Sequence, residues 1–132
     1  MSVTDEQLIE AAMQVRKNAY CEYSGYFVGA ALVDENGNMH IGCNVENSAY
    51  PEGTCAEANA IGCMIATGAR RIKTIAVIGG HDEAIEVCTP CGGCRQKIAE
   101  FADDDTRILL IDDQGETEAL GIKDLLPKLF RL

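Results

Sequence analysis

Apolar residues recur along this chain at two spacings, and each change of spacing marks a boundary between elements. Thr4, with Gln7 three residues on, carries a capping-box signal, and Ile9, Ala12, Met13 and Val15 then follow a helical repeat to about Ala19. Val28 to Val33 is an unbroken apolar run of strand length. Asp34-Glu35-Asn36-Gly37-Asn38 holds the Asn-Gly hairpin signal, so Met39 to Val45 is predicted as the antiparallel partner. Thr54 is placed to cap a helix from Cys55 to about Thr67, closed by Gly68. Ile75-Ala76-Val77-Ile78 reads as a buried strand ending at Gly79-Gly80. Pro90 precedes a further helix from Gly92 to Phe101. Arg107 to Ile111 is another strand, Asp112-Asp113-Gln114-Gly115 turns into a short last one, and Ile122 to Leu126 is a helical turn stopped by Pro127.

The predicted order is αββαβαββ with one short helix at the end. Helices separated by strands imply an α/β fold: a mixed five-stranded sheet covered on both faces, a three-layer α/β/α sandwich. The crossovers through the second and third helices should make parallel neighbours of the strands they join. With no repeat, linker or low-complexity tract, residues 1–132 read as a single domain.

Charge narrows the partners. A net charge of −10 repels nucleic acid unless positive residues cluster, and the only tight basic group is the short Arg70-Arg71-Ile72-Lys73. A small neutral or cationic substrate fits better. No apolar run approaches the roughly 20 residues of a membrane span. The stretch from Met1 to Glu6 lacks the basic and apolar regions of a signal peptide, so a cytoplasmic protein is expected.

Seven cysteines are many for this length. Their odd number and the missing export signal argue against a disulfide framework, and C-x-x-C spacing favours metal or redox chemistry. Cys21, Cys43 and Cys63 read as small buried hydrophobes. The informative set is Cys55-Ala56-Glu57 together with Pro90-Cys91-Gly92-Gly93-Cys94. A cysteine two residues before a glutamate, followed later by Pro-Cys-x-x-Cys, matches a zinc-deaminase signature. Three ligands leave the fourth corner of a tetrahedral zinc open, which marks a catalytic site. Both cysteine segments fall at predicted helix starts, where the positive end of the dipole stabilises thiolates. Glu57 is spaced to face the open corner and carry protons. Three other readings stay open at this point. Cys88 could be a fourth ligand in a closed zinc knuckle of a non-catalytic binding module. Cys91 and Cys94 could be a redox pair. Glu57 could merely complement the helix dipole. His40 and His81 lack a partner at ligand spacing and are read as non-ligands.

These residues resemble the cytidine deaminase family, specifically its small homotetrameric, zinc-dependent branch. The resemblance runs through Tyr23-Ser24, Val28-Gly29-Ala30-Ala31-Leu32, Gly42-Cys43-Asn44-Val45-Glu46-Asn47, Pro90-Cys91-Gly92-Gly93-Cys94-Arg95-Gln96 with Glu100-Phe101, and Leu125-Leu126-Pro127 with Phe130. It implies one Zn2+ per subunit on Cys55, Cys91 and Cys94, and Glu57 as the proton carrier. Asn44 and Glu46 would hydrogen-bond the ribose hydroxyls, as alternating strand positions facing one side. The Ala56 backbone would meet the pyrimidine edge. Tyr50 and Phe130 would reach into a neighbouring subunit's site, so the homotetramer would share its active sites. The implied reaction is hydrolytic deamination of cytidine and 2′-deoxycytidine, releasing ammonia, in pyrimidine salvage.

Three positions depart from the family pattern. Tyr26 stands where the family usually has Phe, with Phe27 beside it, and either ring could stack on a base. Ala58-Asn59 follows Cys-Ala-Glu where an Arg usually bonds the thiolates, leaving Arg95 or another group to compensate. The loop before Cys55 is polar and contains Glu52. The last two keep a second substrate in play, a modified aminopyrimidine nucleoside such as a blasticidin-type antibiotic or an N4-substituted cytidine.

Overall fold

A computed structural model describes residues 2–132; Met1, at the head of the stretch read for a leader, lies outside them. Thr4 caps helix α1 (Asp5–Arg16), its hydroxyl accepting from the Gln7 amide while the Gln7 side chain accepts from the Thr4 amide. Strands β1 (Tyr26–Asp34) and β2 (Met39–Cys43) form the expected hairpin. Gly37, with φ of +84°, supplies the left-handed turn position that other residues resist. Helix α2 (Ala56–Ala66), strand β3 (Ile72–His81), helix α3 (Gly92–Glu100), strands β4 (Arg107–Ile111) and β5 (Thr117–Leu120) and helix α4 (Ile122–Leu125) complete the order.

The strands form one sheet in the order β2-β1-β3-β4-β5. Among the described strands only β3 and β4 pair in parallel, through the α3 crossover. The expectation that the α2 crossover also makes parallel neighbours is corrected. β2 and β3 run the same way, but β1 lies between them and pairs antiparallel with both. The tight hairpin fills one edge of β1, so the returning chain can reach only its other edge.

Both faces of the sheet are covered. Ala31, Val33, Ala76, Ile78 and Leu109 pack against Leu8 and Ala12 of α1. The alternate residues Ala30, Leu32, Ile75, Val77, Ile108 and Leu110 pack against α2, α3 and α4 through Ala60, Ile61, Met64, Ile98 and Leu125. Burial on both sides explains why the central strands read as continuous apolar runs without alternation.

Three contacts place the parts that carry the site. A Cβ at Gly29 would lie 2.0 Å from the Ala12 carbonyl oxygen, and one at Gly42 2.5 Å from the Ala60 amide nitrogen, so α1 and α2 rest directly on strand backbone. Arg16 is buried, and among the described residues no carboxylate pairs with it. Its guanidinium donates instead to the carbonyls of Phe27, Gly80, Asp82 and Ala84. It thereby fastens the segment leading to Pro90 onto β1.

Candidate active site

Cys55 is the N-cap residue of α2 and Cys91 that of α3, and neither side chain bonds its own helix. The cap expected at Thr54 is therefore corrected by one residue. The Thr54 hydroxyl instead accepts from Asn59, whose amide also donates to the Cys43 carbonyl at 2.7 Å and pins the start of α2 to the end of β2. Cys94 lies in the first turn of α3 and is buried. The sulfurs of Cys55, Cys91 and Cys94 all lie within 4.8 Å of one another. Thiolates on a tetrahedral zinc, at about 2.3 Å from the metal, sit about 3.8 Å apart, so small side-chain movements fit the three to one ion.

The electrostatics of the cluster suit a cation. The Cys55 thiol is lowered to about 6, chiefly by its hydrogen bond with Cys94, with Cys91 and the Lys97 charge adding to the effect. Cys94 is pushed up, first by that same bond to Cys55 and then by burial and the Glu57 charge. Cys55 thus favours its thiolate while Cys94 holds its proton, and a dication bound by the cluster would displace thiol protons. The starts of α2 and α3 both point at the cluster, and their dipoles favour anionic sulfur there. Glu57 is 4% exposed. Burial raises its pKa, as does the Cys55 charge, while its own backbone amide, Cys94 and Lys97 oppose the shift. A carboxyl so placed can hold or release a proton beside the sulfurs.

The other predicted residues distribute unevenly. Ala56, fully buried, begins α2 between Cys55 and Glu57. Tyr26 shares the α2-facing side of β1 with Val28; burial, with the Cys88 side chain nearby, pushes its pKa up, and its ring meets His81 edge-on at 4.9 Å. Phe27 is not brought to the cluster. Strand alternation turns it to the α1 face, under the Arg16 guanidinium at 5.9 Å.

The strand predicted through Val45 is corrected: β2 ends at Cys43, and Val45, between Asn44 and Glu46, makes isolated bridges to Tyr20 and Thr54 instead. The Asn44 amide replaces the missing ladder, accepting from the Val28 N–H and donating to the Tyr26 carbonyl. The Glu46 carboxylate accepts from the amides of Tyr23 and Ser24 and from the Ser24 hydroxyl, which lowers its pKa. Glu46 lines a hollow of about 290 Å³ with Tyr23, Ser24, Asn47, Tyr50 and Gly53. Tyr50 and Phe130 are exposed large side chains, and Gln96 holds the tail by its bond to the Phe130 carbonyl.

Of the three cysteines read as buried hydrophobes, Cys21 is buried and Cys43 half-buried. Cys63 is exposed, because the helical repeat turns it away from the sheet. Both histidines pair with carboxylates outside the cluster, His40 with Asp34 and His81 with Glu86. Arg95 donates to the carbonyls of Pro90 and Leu125, so it braces the second cysteine segment through its backbone. Lys97, which the sequence reading passed over, bears on both Cys55 and Glu57. Its helical offset from Cys94 was the available signal.

Among the described residues Cys88 stands outside the sulfur cluster. Cys88→Ser is therefore expected to retain one zinc per protomer by metal analysis; loss of the metal would restore the closed-knuckle reading.

Comparison with known proteins places the chain. Residues 2–110 match the family model described as the cytidine and deoxycytidylate deaminase zinc-binding region. A cytidine deaminase of Sporosarcina psychrophila is 39% identical over 125 residues, covering 95% of this chain and 90% of that one. A blasticidin-S deaminase of Bacillus cereus is 30% identical, covering 96% and 92%. A crystal structure of cytidine deaminase from Burkholderia pseudomallei superposes with a TM-score of 0.86 at 39% identity, covering 97% of this chain and all of that one.

Proposed function

We infer that this chain, which belongs to the cytidine and deoxycytidylate deaminase family and is a hydrolytic deaminase, acts on free cytidine and 2′-deoxycytidine in pyrimidine salvage. The products are the corresponding uridines and ammonia. The observation that carries the reading is the gathering of three sulfurs from two helix starts beside a buried glutamate.

Cys55, Cys91 and Cys94 would hold zinc, and no fourth ligand joins them among the described residues. Bound there, zinc supplies Lewis-acid activation of water. Glu57 would take a proton from the water attacking C4 and pass it to N3 of the ring as the C4–O bond forms. It would then move the proton of the new C4 hydroxyl to the exocyclic nitrogen, so that the C4 carbonyl forms, the C4–N bond breaks and ammonia leaves. Burial keeps bulk water from competing for these protons.

The Ala56 backbone would meet the ring edge, and Tyr26 is the aromatic ring on the same side of the sheet. Asn44 and Glu46, already bonded within the 20–28 region, offer remaining acceptor and donor capacity for the ribose. Tyr50 and Phe130 would complete a neighbouring subunit's site in a homotetramer. The cytoplasm is the expected compartment; no described helix is long and apolar enough to cross a membrane.

The test follows cytidine loss by ultraviolet absorbance with and without a zinc chelator. Turnover of cytidine and 2′-deoxycytidine that stops on chelation and returns with zinc supports the reading. The polar loop at Glu52 and the 30% identity with a blasticidin-S deaminase favour including modified aminopyrimidine nucleosides. Turnover of these with cytidine inert would transfer the assignment to them.

A further inference from the structure

We propose that Lys97 is the charge-balancing cation of the sulfur cluster, held over the Cys91–Cys94 turn to offset the negative charge that three thiolates leave on a bound zinc. The inference rests on reading the cluster as a zinc site. Three thiolates on Zn(II) sum to −1, and the buried Glu57 adds to that when ionised. An anionic site activates water less well than a neutral or cationic one, because the ligands supply the electron density that the metal would otherwise draw from its water.

The geometry singles out this lysine. Lys97 follows Cys94 by three residues and Gly93 by four on α3. Long helical side chains lean back toward the N-terminus, over the residues three and four before them. Its ammonium nitrogen lies 3.7 Å from where a Cβ on Gly93 would stand, between the two cysteines of the segment. Among the described residues no carboxylate pairs with Lys97, although exposed acidic residues are plentiful. Arg95, the other cation of α3, is committed to two carbonyls. Lys97 acts through the sulfurs and touches no reacting atom, so its role is one of positioning charge. The plain alternative is a solvated surface lysine whose stem lies along the helix.

Charge and stem separate in a substitution series. Zinc affinity is measured by competition with a chromophoric chelator on the whole protein, and cytidine kinetics on the zinc-loaded forms. Lys97→Met, which keeps the stem, is expected to weaken zinc binding and lower kcat by about two- to tenfold, with KM unchanged. Lys97→Glu should lose more, and Lys97→Arg should recover most of the loss. Raising the salt to about 1 M should shrink the spread, since screening there acts within about 3 Å. Wild-type zinc affinity in Lys97→Met, or equal salt-independent losses in the Met and Arg variants, overturns the proposal. Zinc binding with no deamination of any nucleoside sinks the proposed activity instead, and the affinity series still decides the role of Lys97.

Discussion

Glu57→Gln is expected to lower kcat by about 10²–10⁴-fold while leaving the fold and the zinc content unchanged. The glutamine amide matches the carboxyl in size, so a site with 4% exposure accepts it without a cavity or overpacking. No buried ion pair is broken, because among the described residues Glu57 forms no salt bridge. What disappears is the capacity to accept a proton and release it again. Zinc analysis, circular dichroism and initial rates on one preparation decide the outcome. If Glu57 only complemented the dipole of α2, the substitution would cost about 0.3–1 kcal/mol of stability and leave kcat in place. Wild-type turnover with full zinc would therefore remove Glu57 from the mechanism.

The sequence was most legible where the determinants are local. The capping box at Thr4, the hairpin at Gly37 and the start of α3 after Pro90 each depend on residues a few positions apart, and each forms as expected. The chemistry of the cluster was legible for a similar reason. Cys55 with Glu57, and Cys91 with Cys94, are close in sequence, and only their meeting needed the fold. Features set by distant chain were not legible. Nothing near β2 or β3 says that β1 will lie between them. Nothing near Phe27 fixes which face it takes until the register of β1 against β2 and β3 is set. The strand predicted through Val45 stops at Cys43 because the Asn44 side chain takes the β1 backbone groups that a further strand residue would have used. Arg16 reads as one more charge on an amphipathic helix, yet it is buried against carbonyls some 64 to 68 positions away.

Gly42→Val should cost the protein its zinc although the residue is no ligand and touches none. A Cβ at Gly42 would lie 2.5 Å from the Ala60 amide nitrogen, 2.6 Å from the Ala56 carbonyl oxygen and 3.0 Å from the Asn59 carbonyl carbon. These are backbone atoms of α2 and its first turns, so no rotamer change relieves the clash; the helix itself must lift. Lifting it breaks the bond from Asn59 to the Cys43 carbonyl and carries Cys55, Ala56 and Glu57 away together. Cys91 and Cys94 are carried by a different helix, α3, whose Ile98 and Ala99 share the core cluster with α2 but belong to a backbone that Gly42 does not touch. One sulfur of the three then leaves the others, and the carboxylate moves with it. Overpacking of this kind costs about 1–3 kcal/mol of stability. A displacement of about 1 Å at a reacting group is worth about 10²-fold in rate. Zinc stabilises the folded state by an amount that grows with the logarithm of its affinity, so the rise in melting temperature on adding zinc should be smaller in Gly42→Val than in the wild type. Gly42→Ala, with the same Cβ and no more, should fall between the two. A full zinc-dependent rise in Gly42→Val would show that the seat of α2 on β2 does not set the place of Cys55. The expected loss would instead place a glycine in the middle of a strand among the determinants of the metal site, by the closeness it permits between two backbones.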